Sequence, residues 1–552
     1  MRKFSPPRQY QISLNLCQLP IDAPEEAAIF LLNTNKLTDQ EDSMKQIIFS
    51  FIICLCQLSW GFDRSVDRFL RDFHRNPAKA RDMLPPEIRD GQVIPRGYLT
   101  YESLDRRLHE EKSKLRRDVM ERSEYFVTPL SAMPPDDHPI ALVDSGVLDD
   151  DIFSLDRSGL MKAALKTTLW SDSYWPIGKG LIATRYAQAG FPNSTDWNAN
   201  YAFYLANPPF ATATDVLSPA EKYDMLVGDY SFGLTEYAWS KGRVYVETEG
   251  SVPSWMGICH GWSGATHMLA KIPYGAITLK TPSGQSIRFY QSDVKALQSM
   301  LWAKADLGTR FLGNRCDKFP ARDETGRIVD QACNDNNPAS FFLTLTNQIG
   351  IHQRAFVMDA TFDAQVWNYS VISYNGTYFN PQSFLQTDNL KQAIVPIEQY
   401  SIDKFKKFRS PGTRYVVGVT LDVTHMNEAG ANHRIQVAPR TKTERYMLDL
   451  ELDSNYHILG GEWYTRAHPD FIWTYALGSQ ALAKGDADIN PDDWDPKKSP
   501  VPSTWAAAAK RSSVDGTPLY GVIKKIVEAA PNVPPADSSG EGVEEIFPPT
   551  DH

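Results

Sequence analysis

Residues 255–272 read WMGICHGWSGATHMLAKI, and this stretch decides the expected fold. Its apolar residues recur at the spacing of one helix face, which predicts a helix that begins near Cys259. These residues are Trp262, Ala265, Leu269 and Ile272. Gly257, just before the helix, permits a tight turn of the backbone. The stretch therefore predicts a turn that leads into a helix headed by a cysteine.

A cysteine in that position has the chemistry of a nucleophile. The positive end of the helix dipole lowers the pKa of the thiol and favours the thiolate. The N–H groups of the first turn point outward and can donate hydrogen bonds to an oxyanion. A single cysteine is more often structural, but the aromatic and glycine-rich context favours a catalytic role for Cys259.

Length and composition indicate more than one folding unit. The chain has 552 residues, a formal net charge of -10 and 42% hydrophobic residues. That length predicts about two to three units, and the apolar content supports a sizeable core. Because the chain is mildly acidic and lacks clusters of Lys and Arg, nucleic acid and anionic membrane surfaces are not expected partners.

The N-terminal region contains the pattern of a secretory signal peptide. Residues 44–61 read MKQIIFSFIICLCQLSWG, in which a positive start and a short apolar run precede Ser59 and Gly61. The run is too short to cross a bilayer, which needs about 20 apolar residues. We therefore predict a secreted or periplasmic protein without stable membrane insertion after signal removal. Residues 1–43 would be an incorrectly assigned or disordered leader.

Removal of the signal would leave Cys259, Cys316 and Cys333. An odd number of cysteines in an oxidising compartment implies one free thiol. Cys316 and Cys333 flank a polar stretch that is typical of an exposed loop, and a disulfide that closes it would contribute about 3 kcal/mol. We predict that these two cysteines pair and that Cys259 stays free.

The remaining sequence divides by composition. Residues 62–150 are charged and helical in pattern, which indicates an accessory unit or pro-segment. Residues 151–484 carry the core, with a capped helix from Ser218 and an alternating, strand-like run at 242–247. Residues 485–552 are rich in Pro, Asp and Ser, which predicts a mostly disordered tail with at most one helix.

Segments after residue 340 have β character. The runs FFLTLTNQIG and RAFVMDATF flank the short connection IHQR, which predicts a β-hairpin. Alternating runs continue the β pattern from Tyr415 towards Tyr464. The pattern as a whole predicts an α+β fold in which the helix that carries Cys259 packs on an antiparallel sheet.

The segment MGICHGWSGA resembles the active-site segment of the transglutaminase elicitor family, the secreted oomycete cell-wall transglutaminases and their bacterial relatives. Four further segments agree in order, namely LWSDSYWPIG, NPASFFLTLTNQIG, FVMDATFDAQVWNYSV and HILGGEWYTRAHPDFIW. Together they span about residues 170–473. The VWN part is similar to the family's surface peptide that plants recognise.

This resemblance implies a papain-like or transglutaminase-like thiol fold. It also implies attack on a peptidyl glutamine amide, release of ammonia and transfer of the acyl group to a primary amine. The expected partners are proteins with accessible glutamines and primary amines. Some transglutaminases use calcium, and the acidic runs at 148–156 and 486–495 make it a candidate cofactor, although neither run fits an EF-hand loop.

A thiol enzyme of this type needs a His that accepts the proton and an Asp or Asn that orients it. Asp359, in the matching FVMD segment, suits the orienting role. The family position for the His falls on Phe342, and the predicted hairpin also places Phe342 opposite Asp359. His352, close to the predicted turn, is a candidate base if the register brings it towards Asp359.

Two alternatives to an aminoacyltransferase stay open at this point. Water can attack the same acyl-enzyme, so a thiol peptidase or deamidase is the first alternative, although Trp255 and Trp262 would help to exclude water. A non-catalytic secreted binding or elicitor-like protein is the second, because a phenyl ring stands where the histidine is expected.

Overall fold

The computed structural model describes residues 63–98, 138–144, 146–269, 274–313, 323–324, 336–361, 366–436 and 438–531. Those from Arg64 onward belong to one unit. The leader, the predicted signal peptide at 44–61 and the predicted Cys316–Cys333 disulfide lie outside the described residues.

A large, mostly antiparallel sheet forms the centre of this unit. The strands are β1 (Glu87–Arg89), β2 (Gln92–Ile94), β3 (Lys162–Ala164), β4 (Ile277–Lys280), β5 (Ser286–Phe289), β6 (Thr309–Leu312), β7 (Phe356–Asp359), β8 (Asn368–Phe379), β9 (Gln386–Thr387), β10 (Val395–Pro396), β11 (Tyr415–Met426), β12 (Thr441–Leu452), β13 (Ile458–Trp463) and β14 (Ile472–Tyr475). The main order is β2-β1-β12-β11-β8-β7-β14-β6, while β4 and β5 form a separate hairpin.

The helices pack around this sheet. They are α1 (Arg64–Arg75), α2 (Pro77–Arg81), α3 (Ile152–Arg157), α4 (Trp197–Ala206), α5 (Pro219–Val227), α6 (Gly233–Glu249), α7 (Cys259–Met268), α8 (Gln291–Lys304), α9 (Pro338–Thr344), α10 (Leu390–Ala393), α11 (Ala506–Ser513) and α12 (Tyr520–Ala529). A π-helical segment, Leu345–Ile351, continues α9. The protein therefore mixes helices with antiparallel sheet, as the sequence predicts.

The centre of the sheet is built by long strands with regular register. β11 pairs with β12 from Tyr415↔Leu452 to Met426↔Thr441, and its other edge pairs with β8. Alternate residues of β11 point into one core because side chains alternate across a strand. These are Val417, Val419, Leu421 and Val423, and they share that core with the apolar side chains of α9.

A second core lies among the helices and includes the tryptophans of α6 and α7, Trp239 and Trp262. Helix α7 packs so closely against α8 that a Cβ on Gly261 would lie 2.1 Å from the Ser299 carbonyl oxygen. Its other side contacts β8, where the Ser370 hydroxyl donates to the Ser263 carbonyl at 3.0 Å. The cysteine-bearing helix is thus fixed between a helix and the sheet.

Several sequence predictions are confirmed. The helix predicted from Ser218 is α5, in which Ser218 and Glu221 form the capping box and Gly228 ends the helix with a φ of 77°. The β segments predicted towards Tyr464 are β11, β12 and β13.

The predicted hairpin around residue 351 is wrong, because only its second arm is a strand. The first arm is α9 and the π-helical segment, with Pro338 in the first turn and the Asn337 side chain accepting from the Ala339 N–H at 2.9 Å. Every residue of α9 is buried, so its sequence shows no polar face that would reveal the helical period.

The strand predicted at 242–247 is also wrong, because these residues continue α6. Trp239 and Gly242 are buried on the same face of that helix, three residues apart, whereas Val244 is exposed. The β-branched run has strand propensity, and tertiary packing outweighs this weak preference.

The N-terminal segment takes part in the fold. Val66, Leu70 and Phe73 of α1 pack against Phe405 and Tyr464 in a small apolar cluster. β1 and β2, which lie in a region predicted to be helical, extend the large sheet through the pairing Glu87↔Glu444. Residues 64–94 of this region therefore pack against the large sheet and extend it.

The tail prediction needs correction for residues 485–531. Helices α11 and α12 lie in this range, and Trp494, Trp505 and Ile526 are buried in the core that also contains Trp262. These few large side chains anchor a segment whose composition is typical of disorder, because packing depends on individual buried contacts rather than on the overall apolar content of a segment.

Candidate functional site

The Cys259 thiol lies at the first position of α7, as predicted, and is 5% exposed. Its hydrogen-bond partners are the first residue of β8 and a residue two positions before that strand. The Sγ donates to the Val366 carbonyl at 3.6 Å and accepts from the Asn368 amide Nδ2 at 3.6 Å. The thiol is thus enclosed by the Val366–Asn368 segment.

Asn368 is held firmly in its position beside the thiol. The Trp473 indole N–H donates to Asn368 Oδ1 at 2.8 Å, which points the amide NH₂ towards Sγ. The hydroxyl of Ser263, one turn along α7, donates to the Asn368 carbonyl. The backbone of β8 is therefore tied to the helix that carries the cysteine.

The pKa of Cys259 is raised to about 11, in the direction opposite to that expected from the helix dipole. Burial is the main cause, because the low-polarity surroundings disfavour the thiolate. Hydrogen bonds from Asn368 lower the pKa, while the negative charges of Glu428 and Asp359 raise it. The resting thiol is consequently protonated at neutral pH.

Asp359 lies at the end of β7 and faces the ladder partner Asn368. Its Oδ1 accepts from the Trp367 N–H at 3.0 Å and from the Thr361 hydroxyl at 2.9 Å. The side chain is fully buried, and its charge acts on Cys259. The structure therefore brings Asp359 to the site, where it holds the chain that leads into β8.

Glu428, two residues after β11, is a further acidic group of the site. The nearby Tyr369 hydroxyl lowers the pKa of its carboxyl group. The residue as a whole is half-buried, but its Oε1 is fully buried and has no hydrogen-bond partner among the described residues. Burial raises the pKa of Glu428 to about 8, against the effect of Tyr369, and the nearby Asp172 adds to the rise.

The segment around Asp172 connects Glu428 to the cysteine helix. The Ala429 N–H donates to the Asp172 carbonyl at 3.0 Å, and the Ile258 N–H donates to the Tyr174 carbonyl at 2.7 Å. The Asp172 carboxylate accepts from Trp175 Nε1 at 2.8 Å. Burial raises the pKa of Asp172 to about 6.

Among the described residues, no histidine forms a hydrogen bond with the Cys259 thiol. His267, two turns along α7, bonds through Nδ1 to the Ser263 carbonyl at 2.8 Å, and burial lowers its pKa to about 4. His425 stacks on Tyr369 with ring centroids 5.3 Å apart. It contacts the aromatic wall of the site rather than Sγ.

Phe342, the expected position of the catalytic histidine, does not lie opposite Asp359 in the structure. Phe342 lies within α9 and is fully buried in the core beneath the sheet, whereas the residue paired with Asp359 is Asn368. His352 follows the π-helical segment and lies before β7, at the opposite end of that strand from Asp359. With three residue steps of about 3.3 Å each, β7 alone separates its two ends by roughly 10 Å.

The sequence profile of the transglutaminase elicitor family matches residues 148–481, well over half of the chain. The chain belongs to this family. A solved structure, that of the GP42 transglutaminase from Phytophthora sojae, is similar over 70% of this chain and 99% of its own, with 17% sequence identity and a TM-score of 0.44. No curated protein sequence matches the chain.

In this member of the transglutaminase elicitor family, the VWN segment is not a surface peptide. Val366, Trp367 and Asn368 are 3%, 5% and 3% exposed. Trp367 packs edge-on against Tyr174, with ring centroids 5.0 Å apart. The segment covers the thiol instead of presenting its side chains to solvent.

The acidic runs of this family member do not fit a calcium site. Asp149 accepts from the Asp151 N–H and the Ser154 hydroxyl, and Asp486 accepts from the N–H groups of Tyr520 and Gly521. Within the described ranges, no group of three His, Cys, Asp or Glu residues could hold a metal ion. These carboxylates stabilise turns and helix starts. None of the described helices is long and apolar enough to cross a membrane.

Sequence reasoning named Cys259 and Asp359 as candidate site residues, but it did not name Asn368, Glu428 or Tyr369, which the structure brings to the same region. Asn368 is the last residue of the VWN segment that the family resemblance singles out, but its place in the ladder opposite Asp359 was hidden by the wrong hairpin. Glu428 lies in a loop sequence, HMNEAGA, that carries no motif. Only the fold brings that loop to the cysteine.

Proposed function

We propose that this protein is a secreted or periplasmic aminoacyltransferase of the transglutaminase type, with Cys259 as its nucleophile. The observation that carries the proposal is the position of that thiol, at the head of α7 and inside the region matched by the transglutaminase elicitor family. Cys259 attacks a peptidyl glutamine amide, a thioester forms as ammonia leaves, and a primary amine then takes the acyl group.

The donors beside Sγ suit the oxyanion of this reaction. The first turn of α7 supplies backbone N–H groups at a helix N-terminus, where developing negative charge is stabilised. The Asn368 amide also donates directly at Sγ. Asp359 acts as a positioning residue, since its bonds to Trp367 and Thr361 hold the chain just before Asn368.

The aromatic surroundings favour an amine over water as the second nucleophile. Trp255, Trp262 and Trp367 are buried in the apolar cluster that includes Ile258, the residue before Cys259, and Tyr369 packs edge-on against Trp262 at 5.6 Å. Such a site keeps the thioester away from bulk water. The glutamine side chain reaches Sγ once Val366 and Trp367 move off the thiol, because they cover it in the resting state.

The test is incorporation of a labelled primary amine into a glutamine-rich protein by the reduced, folded chain. We expect incorporation by the wild type, and a loss of at least about 1,000-fold in Cys259→Ala, because removing a covalent nucleophile removes its reaction path. Cys259→Ser is the matched control for size and should also be inactive, since a hydroxyl is the weaker nucleophile. Thermal melts of all three chains check folding.

Other outcomes would contradict the proposal in different ways. Thiol-dependent ammonia release without amine incorporation would identify a deamidase, and thiol-dependent cleavage of the substrate chain would identify a peptidase. Incorporation that persists in Cys259→Ala would remove this cysteine from the mechanism. A folded wild type that releases no ammonia, cleaves no substrate chain and incorporates no amine would support a non-catalytic role.

A further inference from the structure

Among the described residues, one side chain forms a hydrogen bond with Cys259 Sγ, and it is that of Asn368. An asparagine side chain ends in an oxygen that only accepts hydrogen bonds and an NH₂ group that only donates them, and the two have nearly the same size. A donor beside the sulfur favours negative charge on it, whereas an acceptor disfavours that charge. The orientation of this one amide therefore decides which form of the thiol its contact stabilises.

Trp473 fixes that orientation. Its indole N–H lies 2.8 Å from Asn368 Oδ1, and an indole N–H can only donate. If the amide turned over, its NH₂ group would face a second donor in a buried place, and both would lose their hydrogen bond. The indole thus requires the amide oxygen on its own side and leaves the NH₂ group for Sγ at 3.6 Å.

The sheet holds the indole and the amide in place. Trp473 of β14 pairs with Val357 of β7, which in turn pairs with Ser370 of β8. Asn368 lies two residues before Ser370 and therefore on the same face of β8. The Ser370 hydroxyl donates to the Ser263 carbonyl of α7, so this face packs against the cysteine helix. Trp473 and Asn368 are 2% and 3% exposed, so bulk water does not compete for their hydrogen bond.

We infer that Trp473 is a positioning residue, which orients the Asn368 amide as a hydrogen-bond donor to negative charge on Cys259 Sγ. As far as catalysis is concerned, this inference rests on the proposed acyl transfer. Trp473 acts only through Asn368, and no proton moves between the amide and the sulfur. Without the indole N–H the amide is free to turn over. Its oxygen then accepts from the S–H group and stabilises the resting thiol instead of the thiolate.

The test is Trp473→Phe, which removes the N–H and keeps an aromatic ring in the core. The first measurement, on the reduced full chain, is the pH midpoint for alkylation of Cys259 by iodoacetamide between about pH 7 and 12, followed by peptide mass analysis. The second is labelled-amine incorporation. Trp463→Phe is the matched control, because the Trp463 indole also forms a buried hydrogen bond, to the Asn336 carbonyl at 2.7 Å, but lies in the other core.

For Trp473→Phe we expect the alkylation midpoint to rise by about one pH unit, the scale of one net hydrogen bond. Incorporation near neutral pH should fall about 3- to 10-fold, because the thiolate becomes scarcer although each thiolate is more nucleophilic. Trp463→Phe should leave the midpoint unchanged. In a double-mutant cycle with Asn368→Ala, Trp473→Phe should add no further shift, because the amide through which it acts is gone.

Asn368→Asp gives a second test that leaves Trp473 intact. The carboxylate has the shape of the amide and accepts from the indole as before, but it presents an acceptor to Sγ. The alkylation midpoint should therefore rise further in Asn368→Asp than in Asn368→Ala.

Three results would overturn the inference. One is an unchanged or lower midpoint in a folded Trp473→Phe chain. Another is an equal shift by Trp473→Phe with and without the Asn368 amide, which would mean that the indole acts through general packing. The third is a midpoint in Asn368→Asp that is no higher than in Asn368→Ala. If the midpoints shift as expected but the folded wild type incorporates no amine, the orientation of Asn368 is supported and only the proposed function fails.

Discussion

At the scale of single residues, the site is a balance between burial and hydrogen bonding at one sulfur atom. Burial disfavours the thiolate of Cys259, and the two carboxylates Asp359 and Glu428 add to that effect. Asn368 opposes it with its backbone and side-chain hydrogen bonds. The dipole at the start of α7 acts only over a short range. It therefore does not offset the rise in the pKa of Cys259 that the loss of solvation causes.

This balance predicts the effect of Asn368→Ala. Loss of the amide removes a hydrogen bond that favours the thiolate, so the pKa of Cys259 should rise and alkylation should need higher pH. The midpoint of the alkylation profile is the measurement, since it is independent of access to the thiol. Asn375→Ala on the same strand is the control, because Asn375 is exposed and should leave the midpoint unchanged. A lower midpoint in Asn368→Ala would show that the amide disfavours the thiolate.

At the scale of secondary-structure elements, the glycines of α7 determine how the cysteine is presented. Alanine is more favourable than glycine inside a helix by about 1 kcal/mol, so glycines there indicate a packing requirement. At Gly261 the backbone of α8 lies so close to α7 that there is no room for a Cβ. The neighbour is the Ser299 carbonyl oxygen, a backbone atom that cannot rotate away.

Gly261→Ala should therefore destabilise the protein in spite of the better helix propensity. Overpacking of this kind costs about 1–3 kcal/mol, which exceeds the propensity gain. Urea denaturation would measure the loss. Gly308→Ala is the matched control, because a Cβ at Gly308 meets no atom within 4 Å. Equal stability of the two variants would mean that α7 and α8 separate without cost.

The same scale shows which elements the sequence could predict. Helices α5 and α7 carry local signals, a capping box at Ser218 and a one-sided apolar pattern after Cys259, and both predictions hold. Helix α9 is buried on every side and the end of α6 is β-branched, so local patterns indicated strands where tertiary packing selects helices. The pairing of Asp359 with Asn368 was missed because of the wrong hairpin, and only the fold shows it.

At the scale of the whole molecule, the helical core joins segments that are far apart in the chain. Trp262 beside the cysteine, Trp239 of α6 and Trp494 near the C-terminal helices belong to one apolar cluster. The average composition of residues 485–531 predicts disorder, because it does not register single buried side chains such as Trp494. A few such side chains are enough to order this segment. Stability of the site consequently depends on residues more than 200 positions after Cys259.

Ile526→Ala tests this dependence. Ile526 is 0% exposed in the core shared with Trp262, so truncation should lower the free energy of unfolding by about 2–5 kcal/mol. Val514→Ala removes methyl groups from a side chain that is 74% exposed, and should stay within about 0.5 kcal/mol of the wild type. Urea denaturation followed by tryptophan fluorescence measures both. If Ile526→Ala were as stable as Val514→Ala, α12 would not be part of the cooperative core, and the composition-based view of a disordered tail would be the better description.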